Sequence, residues 1–350
     1  MLQPLLVGLG RSGVGLHLRT LRKLAHRPVP LVRLPAVGCD PRAADLALDS
    51  PDLLVVPTLE DARSRLDPTD TVVHLCTPPG RRLPALRTLA ELGFRRVLVE
   101  KPLAADRDEL DALVRLREEA ALHLVVVAHW TTSQLAARLR ALVRSHGLGT
   151  LRGITIDQHK PRFARSLANH GHPSALDVEI PHGLGLALDL AGPADLHTAH
   201  CWDLRCPDRT LPRLGGARVE LRHHNGVLTR LRSDLGAPVR QRSVVCAFDH
   251  GTATAHFPLS EDDHHAQLVL DPGPTAGEGA AGADHHVLHD DALTDFLAHA
   301  YRAFRSPGAT GPSPASGPRT DFPAAHDAAR LLCEAKERCA TPHDPTGTHD

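Results

Sequence analysis

Lysine is scarce in this chain. Lys and Arg together number 40, yet only four are lysine, at positions 23, 101, 160 and 336. Aromatic residues make up 3% of the 350, with one Met and one Tyr. Neither charge sign dominates. The formal net charge is −1, which excludes the large basic surplus of a dedicated nucleic-acid binder. No apolar run reaches the roughly 18 residues that a membrane-spanning helix needs, so no membrane partner is expected. The opening Met1-Leu2-Gln3-Pro4-Leu5-Leu6-Val7-Gly8 lacks a charged leading region and soon reaches glycines and Arg11, so no signal peptide is expected. Seven cysteines, an odd number at irregular spacing, suit a reducing compartment better than a disulfide scaffold. A cytoplasmic protein is the expectation. The Arg/Ala/Leu/Pro bias reads as the signature of a GC-rich genome, which is the bland account of most charged positions.

The length favours two domains, each able to bury a core. Over the first 130 residues apolar strands alternate with helical stretches. Strands are expected at Leu5–Val7, Leu34–Cys39, Leu53–Val56, Thr71–Cys76, Arg96–Val99 and His123–Ala128. Helices are expected at Val14–Ala25, Leu83–Leu92 (closed by Gly93) and Asp106–Ala121. This rhythm, with near-continuous apolar strands, predicts a parallel doubly wound sheet covered on both faces. After about residue 150 the pattern turns antiparallel. Leu151–Gln158 alternates, Ala217–Leu231 contains the hairpin signal Asn225-Gly226, and Val244–Phe257 turns at His250-Gly251. Helices are expected near Pro181–Leu190, Asp290–Phe304 and Pro323–Cys339. The Gly/Pro/Ala-rich stretches Asp271–Ala283 and Ser306–Arg319 read as loops. The division is therefore 1–128, an α/β domain; 129–340, an α+β domain with an open, mainly antiparallel sheet; and 341–350, a disordered tail.

Gly8-Leu9-Gly10-Arg11-Ser12-Gly13 follows a predicted strand and opens a predicted helix. In that context Gly8 makes the tight turn, Gly10 lets a pyrophosphate approach the backbone, and Gly13 lets helix and strand pack closely. Amides at the helix start, those of Arg11 and Ser12 among them, then face the anion. Asp40 ends the second strand, where a carboxylate accepts from ribose hydroxyls. It would repel a 2′-phosphate and so favours NAD, while Arg42 blunts the preference and leaves NADP possible. Glu100-Lys101-Pro102 follows the strand Val97–Val99, at the sheet edge where ligands bind. A lysine there can hydrogen-bond a reacting hydroxyl and relay its proton. Out of context, the same tripeptide is a solvated turn.

These motifs together resemble the Gfo/Idh/MocA family, the glucose-fructose oxidoreductase and inositol dehydrogenase group. The matching residues are the Gly8–Gly13 loop, Thr77-Pro78, Glu100-Lys101-Pro102-Leu103, and the block Ala175-Leu176-Asp177-Val178-Glu179-Ile180-Pro181-His182 continuing to Gly192-Pro193. Asp295-Phe296-Leu297 and a last helix through Ala335 fit the late pattern. The resemblance implies an N-terminal Rossmann domain and a C-terminal sheet that serves oligomerisation, as a homodimer or homotetramer. It also implies NAD(P)-dependent hydride transfer to or from a hydroxyl- or carbonyl-bearing carbon of a sugar, amino sugar or cyclitol, in a biosynthetic setting. Thr77, Pro78 and Glu100 would contribute to the cofactor site.

The departures from that pattern matter. Arg82 stands where a His is usual. Anchoring on Gly192 puts His182 at the catalytic histidine, but the acid expected four residues before it is Val178. Asp177 is the candidate acid, with Glu179 in reserve as a substrate contact, and Gly185 replaces a second usual acid. In the implied mechanism His182 exchanges a proton, Lys101 donates to the same substrate oxygen, and Asp177 orients the histidine or binds a neighbouring hydroxyl. Gln158–Phe163, with Arg165, Asn169 and His170, is a basic cluster in which Lys160 and Arg162 would grip a phosphate or carboxylate. A solvated basic loop is the bland alternative. His129 and Trp130, ending the last strand of the first domain, are candidate substrate contacts.

No metal site is expected. The pairs His223-His224, His264-His265 and His285-His286 point to opposite faces of a strand, and Cys201 and Cys206 lack a second pair. Two alternatives stand beside the sugar dehydrogenase: an imine or other carbonyl reductase of the same family, which the altered acid spacing and Gly185 suggest, and a dinucleotide-binding sensor or partner without turnover.

Overall fold

The computed structural model describes residues 1–46, 48, 50–168, 172–260, 263–273, 283–305 and 320–340. Asn169 and His170, Glu261 and Asp262, most of the two expected loops and the expected tail lie outside the described residues. The described chain forms two compact units.

The first unit comprises Met1–Ala137 with Asp291–Ala329. Its sheet has six parallel strands: β1 (Gln3–Val7), β2 (Ala36–Cys39), β3 (Leu53–Val56), β4 (Thr71–Leu75), β5 (Arg96–Val99) and β6 (His123–Val126), in the order β3-β2-β1-β4-β5-β6. From β1 the chain crosses to β2 on one side, and from β3 it returns to β4 on the other. The gap between β1 and β4 is thus the switch point of a doubly wound sheet, where such folds hold ligands. Every residue of β4 is buried, as its unbroken apolar character predicts. Helices form where sequence chemistry starts and stops them. In α1 (Arg107–Glu119) the Asp106 side chain accepts the Glu109 N–H at 2.8 Å, while Leu110 and Leu113 face the sheet.

The second unit comprises Arg138–Asp290 with Arg330–Asp350. Its eight-stranded sheet has the order β14-β13-β12-β11-β7-β10-β9-β8. The strands are β7 (Leu151–His159), β8 (Ala194–Cys206), β9 (Arg209–His223), β10 (Leu228–Asp234), β11 (Gln241–Phe248), β12 (Gly251–His256), β13 (His265–Asp271) and β14 (Asp284–His289). β7 and β10 run parallel, and the other neighbours are antiparallel. Asn225-Gly226 does turn β9 into β10, with Gly226 at φ +87°. Helix α2 (Ile180–Ala191) lies on this sheet. A Cβ on Gly183 would approach the Leu231 side chain to 2.6 Å, so the glycine brings helix and sheet close together. No helix among the described residues is long and apolar enough to cross a membrane.

Two features depart from the expected organisation. β8, β13 and β14 were not expected; the His- and Asp-bearing β8 and β14 lack a clean apolar alternation, and β13 buries only Ala266 and Leu268. The second segment is also not continuous over 129–340. Helix α3 (Ala292–Arg305) returns to the first unit, where Phe296, Leu297, Tyr301 and Phe304 join Leu2, Leu6, Val72 and Leu98 in one buried core. We expect Leu297→Ala to lower stability by about 2–5 kcal/mol, the range for a truncated core leucine. Urea unfolding followed by circular dichroism measures it; a change below about 0.5 kcal/mol would show that α3 is not integral to that core.

Candidate active site

In a parallel sheet all carboxyl ends lie along one edge. That edge gathers most of the first unit's candidates: Gly8 after β1, Asp40 after β2, Thr77 and Pro78 after β4, Glu100 and Lys101 after β5, and His129 and Trp130 after β6. The glycine loop leads into a wide-wound helical stretch, Arg11–Leu18, that continues as the α-helix Arg19–Ala25.

The three loop glycines have different reasons to be glycine. Gly8 has φ +93°, where a side chain strains the backbone, and it sits against the Cys76–Thr77 backbone. A Cβ on Gly13 would fall on the Gly8 carbonyl oxygen. Gly10 differs: its φ is −74°, and a Cβ there would meet no atom within 4 Å. Nothing in the fold requires Gly10 to lack a side chain, whereas a ligand approaching the backbone would.

Asp40 is buried and held in place. It accepts the Leu9 N–H and the Arg42 N–H, each at 3.0 Å, and the Arg42 Nε at 3.3 Å. Burial is the largest single influence and pushes its carboxyl upward, but these hydrogen bonds outweigh it and hold the group below its ordinary range. The Leu9 bond ties Asp40 to the glycine loop itself. Nearby, the Thr77 hydroxyl oxygen is enclosed without a hydrogen-bond partner among the described residues.

Glu100 is held through both of its carboxylate oxygens. Its Oε2 accepts the Lys101 N–H at 3.1 Å and its Oε1 accepts from His17 Nε2 at 2.9 Å. Burial would raise its carboxyl, but the His17 hydrogen bond and then the positive charges of Lys101 and Arg82 hold it below its ordinary range. Arg82, at the position where the family resemblance led to a histidine, is also buried. It donates Nε–H to the Thr77 carbonyl at 3.1 Å, and burial pulls it down to about 10, so it stays charged at neutral pH. The Lys101–Pro102 bond is cis.

Sequence reasoning missed two members of this region. His17 and His74 are both fully buried; their Nδ1 atoms lie 2.7 Å apart, and His74 Nε2 lies 2.8 Å from the Tyr301 hydroxyl. Burial lowers the His74 pKa well below that of a free imidazole. The available signal was a histidine inside an otherwise apolar strand, Thr71-Val72-Val73-His74-Leu75.

In the second unit Lys160 and Arg162 follow β7. Lys160 Nζ pairs with Glu179 Oε1, and Arg162 is buried. Asp177 is buried too. One oxygen accepts from the Ser174 N–H and hydroxyl, at 3.3 and 3.0 Å, while the other meets Lys336 Nζ at 2.7 Å. His182 lies in the first turn of α2, its N–H bonded to the Glu179 carbonyl at 3.1 Å. The structure therefore brings Lys160 together with Glu179 and places Asp177 in a capping turn. Among the described residues no group of three His, Cys, Asp or Glu side chains is placed to hold a metal.

By sequence, no family model and no curated protein matches this chain. Solved structures do resemble it in fold. KijD10, a 3-ketoreductase from Actinomadura kijaniata in complex with NADP and TDP-benzene, aligns with a TM-score of 0.77 at 15% identity, over 97% of this chain and 98% of that one. The UDP-N-acetylglucosamine 3-dehydrogenase GnnA from Acidithiobacillus ferrooxidans gives 0.68 at 17% identity, over 96% and 97%. An oxidoreductase from Agrobacterium radiobacter in complex with NAD+, L-tartaric acid and magnesium gives 0.70 at 14% identity, over 97% and 96%. At these identities the likeness is one of fold.

The depressed pKa values of His74 and Glu100 set an acid sensitivity of one sign. Below about pH 6.5 the unfolded chain protonates His74 while the folded chain does not, so stability falls with pH there. Glu100 adds stability above its ordinary 4.5, and that contribution is lost as pH falls below that value. We expect urea midpoints to drop over both windows, and Glu100→Gln to flatten the lower one. An unchanged slope below pH 4.5 in Glu100→Gln would remove Glu100 as the cause.

Proposed function

We propose that this chain is an NAD(P)-dependent oxidoreductase of the Gfo/Idh/MocA type, acting on a hydroxyl- or carbonyl-bearing carbon of a sugar, amino sugar or cyclitol. The observation that carries the reading is the open space at Gly10, beside the left-handed Gly8 turn and an Asp40 tethered to the same loop. It is supported by the enclosed Thr77 hydroxyl and by the fold likeness to NADP- and NAD+-bound proteins.

The dinucleotide, when bound, supplies or accepts the hydride. The chain's part is positioning, charge and protons. Gly8–Gly13 and the helix-start amides of Arg11 and Ser12 hold the pyrophosphate. Asp40 accepts from the ribose hydroxyls and disfavours a 2′-phosphate, and Arg42 partly offsets its charge. Lys101 donates a proton to the reacting substrate oxygen or stabilises its negative charge. His182 is the second candidate for proton exchange. Asp177 fixes the Ser174–Val178 turn that leads into α2, while His129, Trp130, Lys160, Arg162 and Glu179 are assigned to the substrate. Two of the fold neighbours, described as a 3-ketoreductase with TDP-benzene and a UDP-N-acetylglucosamine 3-dehydrogenase, point to nucleotide-linked sugars as the first panel. Assembly as a homo-oligomer through the antiparallel sheet belongs to the same reading.

Gly10→Val tests the cofactor assignment directly. Its Cβ would meet no atom; circular dichroism checks that the variant folds, and affinity for NAD+ and NADP+ by calorimetry should fall at least about tenfold. Unchanged affinity would end the assignment. Asp40→Ala should shift preference towards NADP+ by about tenfold or more. For the chemistry, polyols, keto-sugars and nucleotide-linked sugars are screened by the absorbance of the reduced cofactor. Lys101→Ala should lower turnover by about 100-fold or more with dinucleotide binding retained, and full turnover in that variant would remove the lysine from the mechanism.

A further inference from the structure

Four buried side chains form a continuous hydrogen-bonded line through the first unit: Glu100 Oε1 to His17 Nε2 at 2.9 Å, His17 Nδ1 to His74 Nδ1 at 2.7 Å, and His74 Nε2 to the Tyr301 hydroxyl at 2.8 Å. They come from four separate elements: the end of β5, the helical stretch after the glycine loop, β4, and α3. His17, His74 and Tyr301 are completely buried.

The proton positions follow from the two ends. Tyr301 lies in the apolar core, and its hydroxyl has no second partner among the described residues. If it accepted a hydrogen bond from His74, its own O–H would be left buried without an acceptor. Tyr301 is therefore the donor. At the other end the Glu100 carboxylate can only accept while ionised. Between those limits one arrangement satisfies every group. Tyr301 O–H donates to His74 Nε2, His74 Nδ1–H donates to His17 Nδ1, and His17 Nε2–H donates to Glu100 Oε1. Both imidazoles are neutral, in opposite tautomers. Because the line ends in the core and not at water, it is no conduit for protons; it holds Glu100 in one orientation.

We propose that His17, His74 and Tyr301 are positioning residues, a tautomer-locked chain that fixes the Glu100 carboxylate and through it the Lys101 turn. The link to Lys101 is direct, since the other Glu100 oxygen accepts the Lys101 N–H at 3.1 Å. The same chain ties the helix that follows the glycine loop to the strand end that carries the proposed proton donor. Its functional meaning rests on the role proposed for Lys101; its geometry does not.

Nitrogen-15 histidine spectra of the full chain at neutral pH read the tautomers. We expect His17 protonated on Nε2 and His74 on Nδ1. His74 protonated on Nε2, or either ring doubly protonated, overturns the proposal. Carbon-13 lysine labelling reads the consequence, because four lysines give four side-chain signals and Lys101→Arg assigns the relevant one. His17→Leu should displace the Lys101 signal, and His17→Gln, whose amide N–H can still reach Glu100, should restore it. A Lys101 signal unmoved in folded His17→Leu overturns the link. If His17→Leu does not fold, Tyr301→Phe replaces it: changed His74 nitrogens with a displaced Lys101 signal support the chain, and no change in either overturns it. Titrating NAD+ and NADP+ into the wild-type sample separates the two readings. Failure to bind either sinks the proposed function, while the tautomers still decide the chain.

Discussion

A carboxylate shut away from water keeps its charge only if its oxygens are served by donors and a positive charge lies close. Glu100 meets that condition with groups from three places. His17 reaches it from the helix behind the glycine loop, the Lys101 N–H from the strand end beside it, and Arg82 faces it from the turn after β4. Those places border the switch point of the sheet. Satisfying one buried charge therefore fixes the parts of the first unit on which the proposed chemistry depends. Arg82 belongs to this balance. A permanently charged guanidinium in place of a titratable ring gives Glu100 a countercharge that does not vary near neutral pH.

The second unit uses lysine in a comparable way. Glu179 and Asp177, the two acids that flank the position where one acid is usual in the resembled family, are each paired with a lysine, Lys160 and Lys336. Asp177 also closes the turn that launches α2. A shift of one residue along the chain thus comes with a different employment for the carboxylate. It shapes the approach to the helix that carries His182.

Much of this was legible in the sequence, and the reasons are physical. β1, β4 and β5 are short apolar runs stopped by glycine or proline, so both their existence and their shared edge could be read. Asp40 and Lys101 were visible because they sit one and two residues beyond strands whose ends were plain. His74 was read as part of a buried strand and not as a polar group needing a partner, because its partners, His17 and Tyr301, lie 57 and 227 residues away. β8 and β14 escaped because a strand with much of its surface open has little apolar alternation to show. The return of α3 was hidden for a further reason. An amphipathic helix announces that it has a buried face, but not which sheet that face meets.

That return has a consequence for how the chain is made. The core of the first unit closes on Phe296, Leu297, Tyr301 and Phe304, yet Ala137 and Asp291 are separated by the whole β-sheet of the second unit. At ribosomal speeds of about 5–20 residues per second, the interval between residues 137 and 305 is on the order of ten to thirty seconds. Through that time the six strands have their apolar side chains uncovered where α3 will sit, and His74 lacks its tyrosine. The first unit to begin is therefore not free to finish first. The second unit can complete most of its sheet in that interval, but its own last segment, Arg330–Asp350, follows later still, so the two units are completed in overlap and not one after the other.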